Sequence, residues 1–103
     1  MPDDKKDASS KTGFRETTVA EFLDLTPADN LIVEMRLRLA RELRNARKAQ
    51  NTTQAELADR RKTSQSRISA LERGDESVTL DALISALAEL GVSRQDIGRI
   101  IAA

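Results

Sequence analysis

The chain has no cysteine, no histidine, no tryptophan and no tyrosine, and its only aromatics are two phenylalanines. Each absence removes a class of function. Without cysteine there is neither a disulfide framework nor a thiolate metal site. Without histidine the commonest metal ligand and general base is gone. A catalyst would have to be built from Asp, Glu, Lys or Ser in a pocket, and no spacing suggests one. The carboxylates fall instead at helix caps or beside arginines at helix-surface spacing, so the chain is not expected to be an enzyme, and no metal or cofactor is implied. No apolar run approaches the roughly 20 residues needed to span a membrane. The first residues, MPDDKKDASSK, have no apolar stretch behind their charges, so a soluble, cytoplasmic protein is expected.

What remains is 103 residues with 39% hydrophobic content and 33% charge. That is enough for one domain with tails. A core of Leu, Ile, Val and Ala with 2% aromatics favours packed helices over a β-sandwich.

The net charge of zero hides a strong asymmetry. Residues 1–35 hold four Lys/Arg against eight acids, net −4. Residues 36–73 hold eleven against four, net +7, and residues 74–103 hold two against five, net −3. The central block would attract a polyanion, while the flanks repel it. The plain alternative is a long, solvated, arginine-rich helix; Arg36, Arg38, Arg41, Arg44, Arg47 and Lys48 are spread around it, so most of them are expected to be ordinary surface.

Capping signals divide the chain into helices. Residues 1–17 form a polar, flexible tail. Residues 18–25, TVAEFLDL, have Thr18 and Glu21 at capping-box spacing and suggest a short amphipathic segment. Thr26-Pro27 starts a long helix reaching about Gln50, with Ile32, Met35, Leu39, Leu43 and Ala46 as its apolar stripe. Thr53 and Glu56 open the next helix, and Ser64 caps the one after, which Gly74 ends in a left-handed conformation. Thr79 caps LDALISALAEL, ended by Gly91. Ser93 and Asp96 open a last helix containing Ile97, Ile100 and Ile101. The expectation is an all-α domain of five helices over residues 26–103, with a short N-terminal appendage.

Residues 53–74, TQAELADRRKTSQSRISALERG, are the most informative stretch. Two short helices joined by a tight turn must share a core and cross closely. Leu57, Ile68 and Leu71 provide the core, and the small Ala58 permits the crossing. Gln-Ser-Arg then occupies the first turn of the second helix, where side chains can reach base edges in a major groove. TQAELA…SQSRISALERG, followed by VTLDALISALAELGVS, resembles the lambda-repressor-like helix-turn-helix domains of the Xre type. With FLDLTPADNLIVEMRLRLARELRNARKAQ leading into the motif, it resembles more particularly their HigA-like antitoxin members. The resemblance covers about residues 20–100.

It implies a DNA-binding transcriptional regulator, a repressor of its own operon. Such a protein binds a double-stranded operator as a homodimer, with half-sites about 34–36 Å apart, and the last two helices are the family's usual dimer region. Gln65 and Ser66, with Ser69 and Ala70 one turn on, would face base edges; Gln suits adenine N6/N7 and Ala70 a thymine methyl. Gln54, Lys62, Ser64, Arg67 and Arg73 would contact phosphates. The HigA-like resemblance further implies a co-encoded protein toxin, typically an mRNA-cleaving enzyme. Phe14, Val19 and Phe22, in an acidic segment, are the candidate contacts for it. The turn departs from the family pattern. Lys62 replaces the usual Gly, and Thr52, Arg61 and Thr63 stand where apolar residues are usual. The departures predict a thinner core under the turn, and either a motif that orders on binding or stronger phosphate contact.

Overall fold

The computed structural model describes residues 26–103. The 1–17 tail, the 18–25 segment and the candidate contacts Phe14, Val19 and Phe22 lie outside the described residues. The chain divides into two units, Met1–Leu31 and Ile32–Ala103. Five α-helices are present: α1 (Pro27–Ala49), α2 (Gln54–Arg61), α3 (Gln65–Arg73), α4 (Leu80–Glu89) and α5 (Arg94–Ala102). No strand occurs among the described residues.

Each helix begins where the sequence places a cap. At α1 the Asp29 amide donates to Thr26 Oγ1 (3.1 Å) and the Thr26 amide to Asp29 Oδ2 (3.3 Å). At α2 the Glu56 amide donates to Thr53 Oγ1 (3.0 Å) while Glu56 Oε1 accepts the Thr53 amide (2.8 Å). Ser64, Thr79 and Ser93 accept from the amides of Arg67, Ala82 and Asp96. Each such cap satisfies an amide that has no intrahelical acceptor and stabilises by about 1 kcal/mol.

The core of the second unit gathers on the C-terminal half of α1. Leu39, Leu43, Leu57, Ile68, Leu83 and Leu87 are its largest fully buried side chains. Burying each contributes about 1.5–3 kcal/mol. The predicted stripe of α1 is buried only from Leu39 onward; Met35 is half-buried and Ile32 exposed. Val78, in the loop before α4, closes the core from the side. Helix α5 has no fully buried residue, but Ile97, Ile100 and Ile101 pack on the core.

Two turns set the position of α3. Between α2 and α3, Lys62 adopts the left-handed conformation (φ 57°, ψ 48°). The Lys62 amide then reaches the Asp59 carbonyl (3.1 Å) and the Thr63 amide the Ala58 carbonyl (2.9 Å), closing the end of α2. A lysine pays for this with about 1 kcal/mol of strain that glycine would avoid. After α3, Gly74 is left-handed too (φ 67°), and a Cβ there would lie 3.0 Å from Leu37 Cδ2 on α1. Both its conformation and this close approach favour glycine.

The core under the first turn closes without apolar residues at positions 52, 61 and 63. Leu57 and Ile68 are completely buried. Contacts around the turn come from Arg60, from Arg61 and from the backbone of Thr52. Arg60 Nη2 donates to the Glu89 carbonyl at the end of α4 (2.9 Å). Arg61 lies 3.8 Å from the Glu89 carboxylate, and the Thr52 carbonyl accepts from Arg47 Nη1 (2.9 Å). Arg61 therefore braces the turn toward α4.

Candidate nucleic-acid interface

Helices α2 and α3 form the principal helix pairing of the fold. Ala58 is almost fully buried between them, with Leu57, Ile68 and Leu71 in the shared core. Burying Ile68 and Leu71 turns the opposite side of α3 outward. At about 100° per residue, Gln65, Ser66, Ser69 and Arg73 fall within one arc of about 100°. Gln65 and Ser66 are exposed at the two edges of that arc, and Ser69, between them, is half-buried. Neither Gln65 nor Ser66 has a side-chain hydrogen-bond partner among the described residues. Ala70 stands at the edge of the arc, half-buried, with its methyl packed against the core. Of the four candidate base-reading residues, the fold presents Gln65 and Ser66 most openly.

The candidate phosphate ligands divide into several situations. Ser64 uses its hydroxyl to cap α3, accepting from the Arg67 amide at 3.0 Å, so a phosphate would meet its free valences or the first-turn amides. No acid occupies the first turn of α3, leaving the positive end of its dipole uncompensated. At α2, by contrast, Glu56 closes a capping box there. Lys62 is exposed on the turn. Arg67 is half-buried and lies outside the arc of Gln65 and Ser66.

Gln54 is held by a network that sequence reasoning missed. Its Nε2 donates to Glu72 Oε1 at 3.1 Å. Glu72 in turn accepts from Arg47 Nη2 (3.0 Å) and Nε (2.5 Å), a bidentate pair whose side chains are 4% and 11% exposed. Arg47 also reaches the Thr52 carbonyl, so one guanidinium joins α1, the loop before α2 and the end of α3. Burial pushes the Glu72 carboxyl up, but hydrogen bonds from Arg47 and Gln54 outweigh it and the net displacement is downward. The hydrogen bond to Glu72 raises Arg47. Arg47 is thus a core residue of the motif, a correction to its reading as ordinary surface. The signal was its register: Leu39, Leu43 and Arg47 recur every four residues, so the arginine continues the buried stripe. Arg44 is a second omission. It stands near enough to Glu72 to lower the carboxyl further, yet is itself exposed.

Arg73 is engaged as well. Nη2 and Nε donate to Asp75 Oδ2 (2.9 Å) and Oδ1 (3.3 Å), and Nη1 donates to Ser69 Oγ (2.8 Å). Hydrogen bonding between them raises Arg73 and lowers Asp75.

Among the described residues there is no cluster of three or more acids that could hold a metal, and no helix long and apolar enough to cross a membrane. A groove of about 540 Å³ lies along α1 and α5, with Ala46, Leu87, Val92 and Ile100 on its floor and Glu42, Asn45, Asp96 and Arg99 also lining it.

No curated protein and no solved structure matches the chain. A family model described as helix-turn-helix does match, over residues 43–97. Those limits enclose the two helices, their turn, the Arg47–Glu72 pair and the supporting α4, and they cover more than half of the chain. The exposed first turn of α3, the cap at Ser64 and the shared core of Leu57, Ile68 and Leu71 are the features such a domain needs. The protein belongs to the Xre-like helix-turn-helix family of DNA-binding transcription regulators.

Proposed function

We propose that this chain represses transcription by binding a specific operator as a symmetric dimer. The open first turn of α3 carries the reading. Among the described residues Gln65 and Ser66 have no side-chain partner; they stand on a helix backed by the core and inside the basic block. In the groove, the Gln65 amide would pair with adenine N6 and N7, and the Ser66 hydroxyl with either a donor or an acceptor edge. Ser69 and Ala70 extend that face by one turn. Gln54, Lys62, Ser64 and Arg67 contact the backbone and set register, and Arg73 joins them where it is released. Arg44 adds a contact beside Gln54.

The test is a fixed-salt titration of Gln65→Ala on the gene's own upstream sequence and on random duplex. A loss of about 1–3 kcal/mol on the first, with little on the second, is expected. Equal losses on both would sink the base-reading assignment. A second copy would seat on the apolar α1–α5 groove, bringing two α3 helices about 34–36 Å apart. Ile100→Asp should then give a monomer in sedimentation and weaken operator binding; a variant that stays dimeric argues against this seat.

An antitoxin role is compatible with repression. The acidic segment containing Phe14, Val19 and Phe22 would cover a basic RNA-binding face of a co-encoded toxin. Pull-down of the neighbouring gene product by the full chain, but not by residues 26–103, is the expected outcome. Equal capture by both would place the contact elsewhere.

A further inference from the structure

The outward arc of α3 carries one guanidinium, and a carboxylate of the same chain already occupies it. Arg73 offers two N–H groups to the two oxygens of Asp75 and a third to Ser69. Arg recognises carboxylate and phosphate through the same planar fork. Asp75 therefore sits where a phosphate oxygen edge would otherwise lie.

The geometry points to Asp75 as an internal competitor for nucleic acid, a latch that sets how strongly this face grips a phosphate backbone. The inference rests on the DNA-binding reading of the same face. To engage a phosphate, Arg73 must exchange one anion for another, so its contact adds less affinity than a free arginine would supply. The exchange is open to solvent: the side chains of Arg73 and Asp75 are 59% and 39% exposed. Exposed pairs are weak, so the latch moderates binding and does not abolish it. Position matters as much as charge. Asp75 lies two residues beyond Arg73, after the Gly74 bend that turns the chain back toward α1. That bend holds the carboxylate beside the arc. For a regulator, a moderated backbone grip lowers binding to random sequence and leaves discrimination to base contacts.

The experiment is a double-mutant cycle with Asp75→Asn and Arg73→Gln, since Asn keeps the shape of Asp and removes its charge. Binding is measured over a salt series on random-sequence duplex and on heparin, a polyanion without bases. Asp75→Asn should tighten duplex binding about fivefold and steepen the dependence of log K on log salt by about 0.9. In the Arg73→Gln background the same change should shift affinity less than about twofold, because no fork remains to be freed. An equal gain in both backgrounds would overturn the latch, leaving only the removal of one repulsive charge; so would no gain in either. The heparin arm separates the two ideas. The same coupling on heparin, without binding to DNA, keeps the latch and removes the DNA-binding reading. Binding to DNA without coupling keeps that reading and removes the latch. Binding to neither polyanion removes both.

Discussion

Two arginine–carboxylate pairs flank α3, alike in chemistry and opposite in setting. Arg47–Glu72 and Arg73–Asp75 are both bidentate, and in both the carboxyl is displaced downward and the guanidinium upward. The first is buried and joined by Gln54 and the Thr52 carbonyl. The second is exposed and, among the described residues, joined only by Ser69. Burial changes what the same contact does. Inside, water cannot replace a lost partner, so each group depends on the other and the pair locks three segments together. Outside, water or a phosphate can take either place, so the pair becomes an exchangeable cover on a binding face.

The sharpest way to break this contrast is to remove one arginine at a time. Arg47→Ala should lower unfolding free energy by about 3–5 kcal/mol in urea titrations, because it strands the Glu72 carboxylate. Arg73→Ala should leave the urea midpoint where it is and alter only ligand binding. Comparable losses in the two variants would end the distinction. The pairs should also separate by pH. Glu72 is held below its ordinary value of 4.5, so the unfolded chain binds its proton more readily than the folded one. Its contribution is complete above that pH and is lost as the pH falls through the lowered folded value. Glu72→Gln should flatten the acid limb of the stability profile; an unchanged limb would mean the carboxyl is not held by Arg47.

Smaller effects concern the turn between the two pairs. Lys62→Gly should raise stability by about 1 kcal/mol by relieving the left-handed strain. The same change should weaken binding to random duplex and reduce the salt slope by about 0.9 if Lys62 meets a phosphate. Greater stability with unchanged binding would make the lysine a tolerated substitution only. Least of all should change on Arg61→Gln, whose 3.8 Å contact to Glu89 is partly solvated; about 0.5 kcal/mol or less is expected in thermal melts at moderate salt.

Local chemistry in the sequence determined much of this protein. Thr26, Thr53, Ser64, Thr79 and Ser93 start their helices, because a side-chain oxygen near a free amide acts over a few residues and needs no distant partner. Gly74 and Gly91 are left-handed, as their positions after helices require. The outward placement of Gln65 and Ser66 followed from the spacing of Ile68 and Leu71. Tertiary structure alone decided which carboxylate each arginine meets. Arg47 and Arg44 look equivalent in an arginine-rich helix, yet only one meets Glu72 across 25 residues of chain. Arg73 reads as a free cation until the bend at Gly74 folds Asp75 against it. Register marks Arg47 as continuing the buried stripe of Leu39 and Leu43, but which carboxylate each arginine meets depends on how the chain folds back on itself, and that is not written in local spacing.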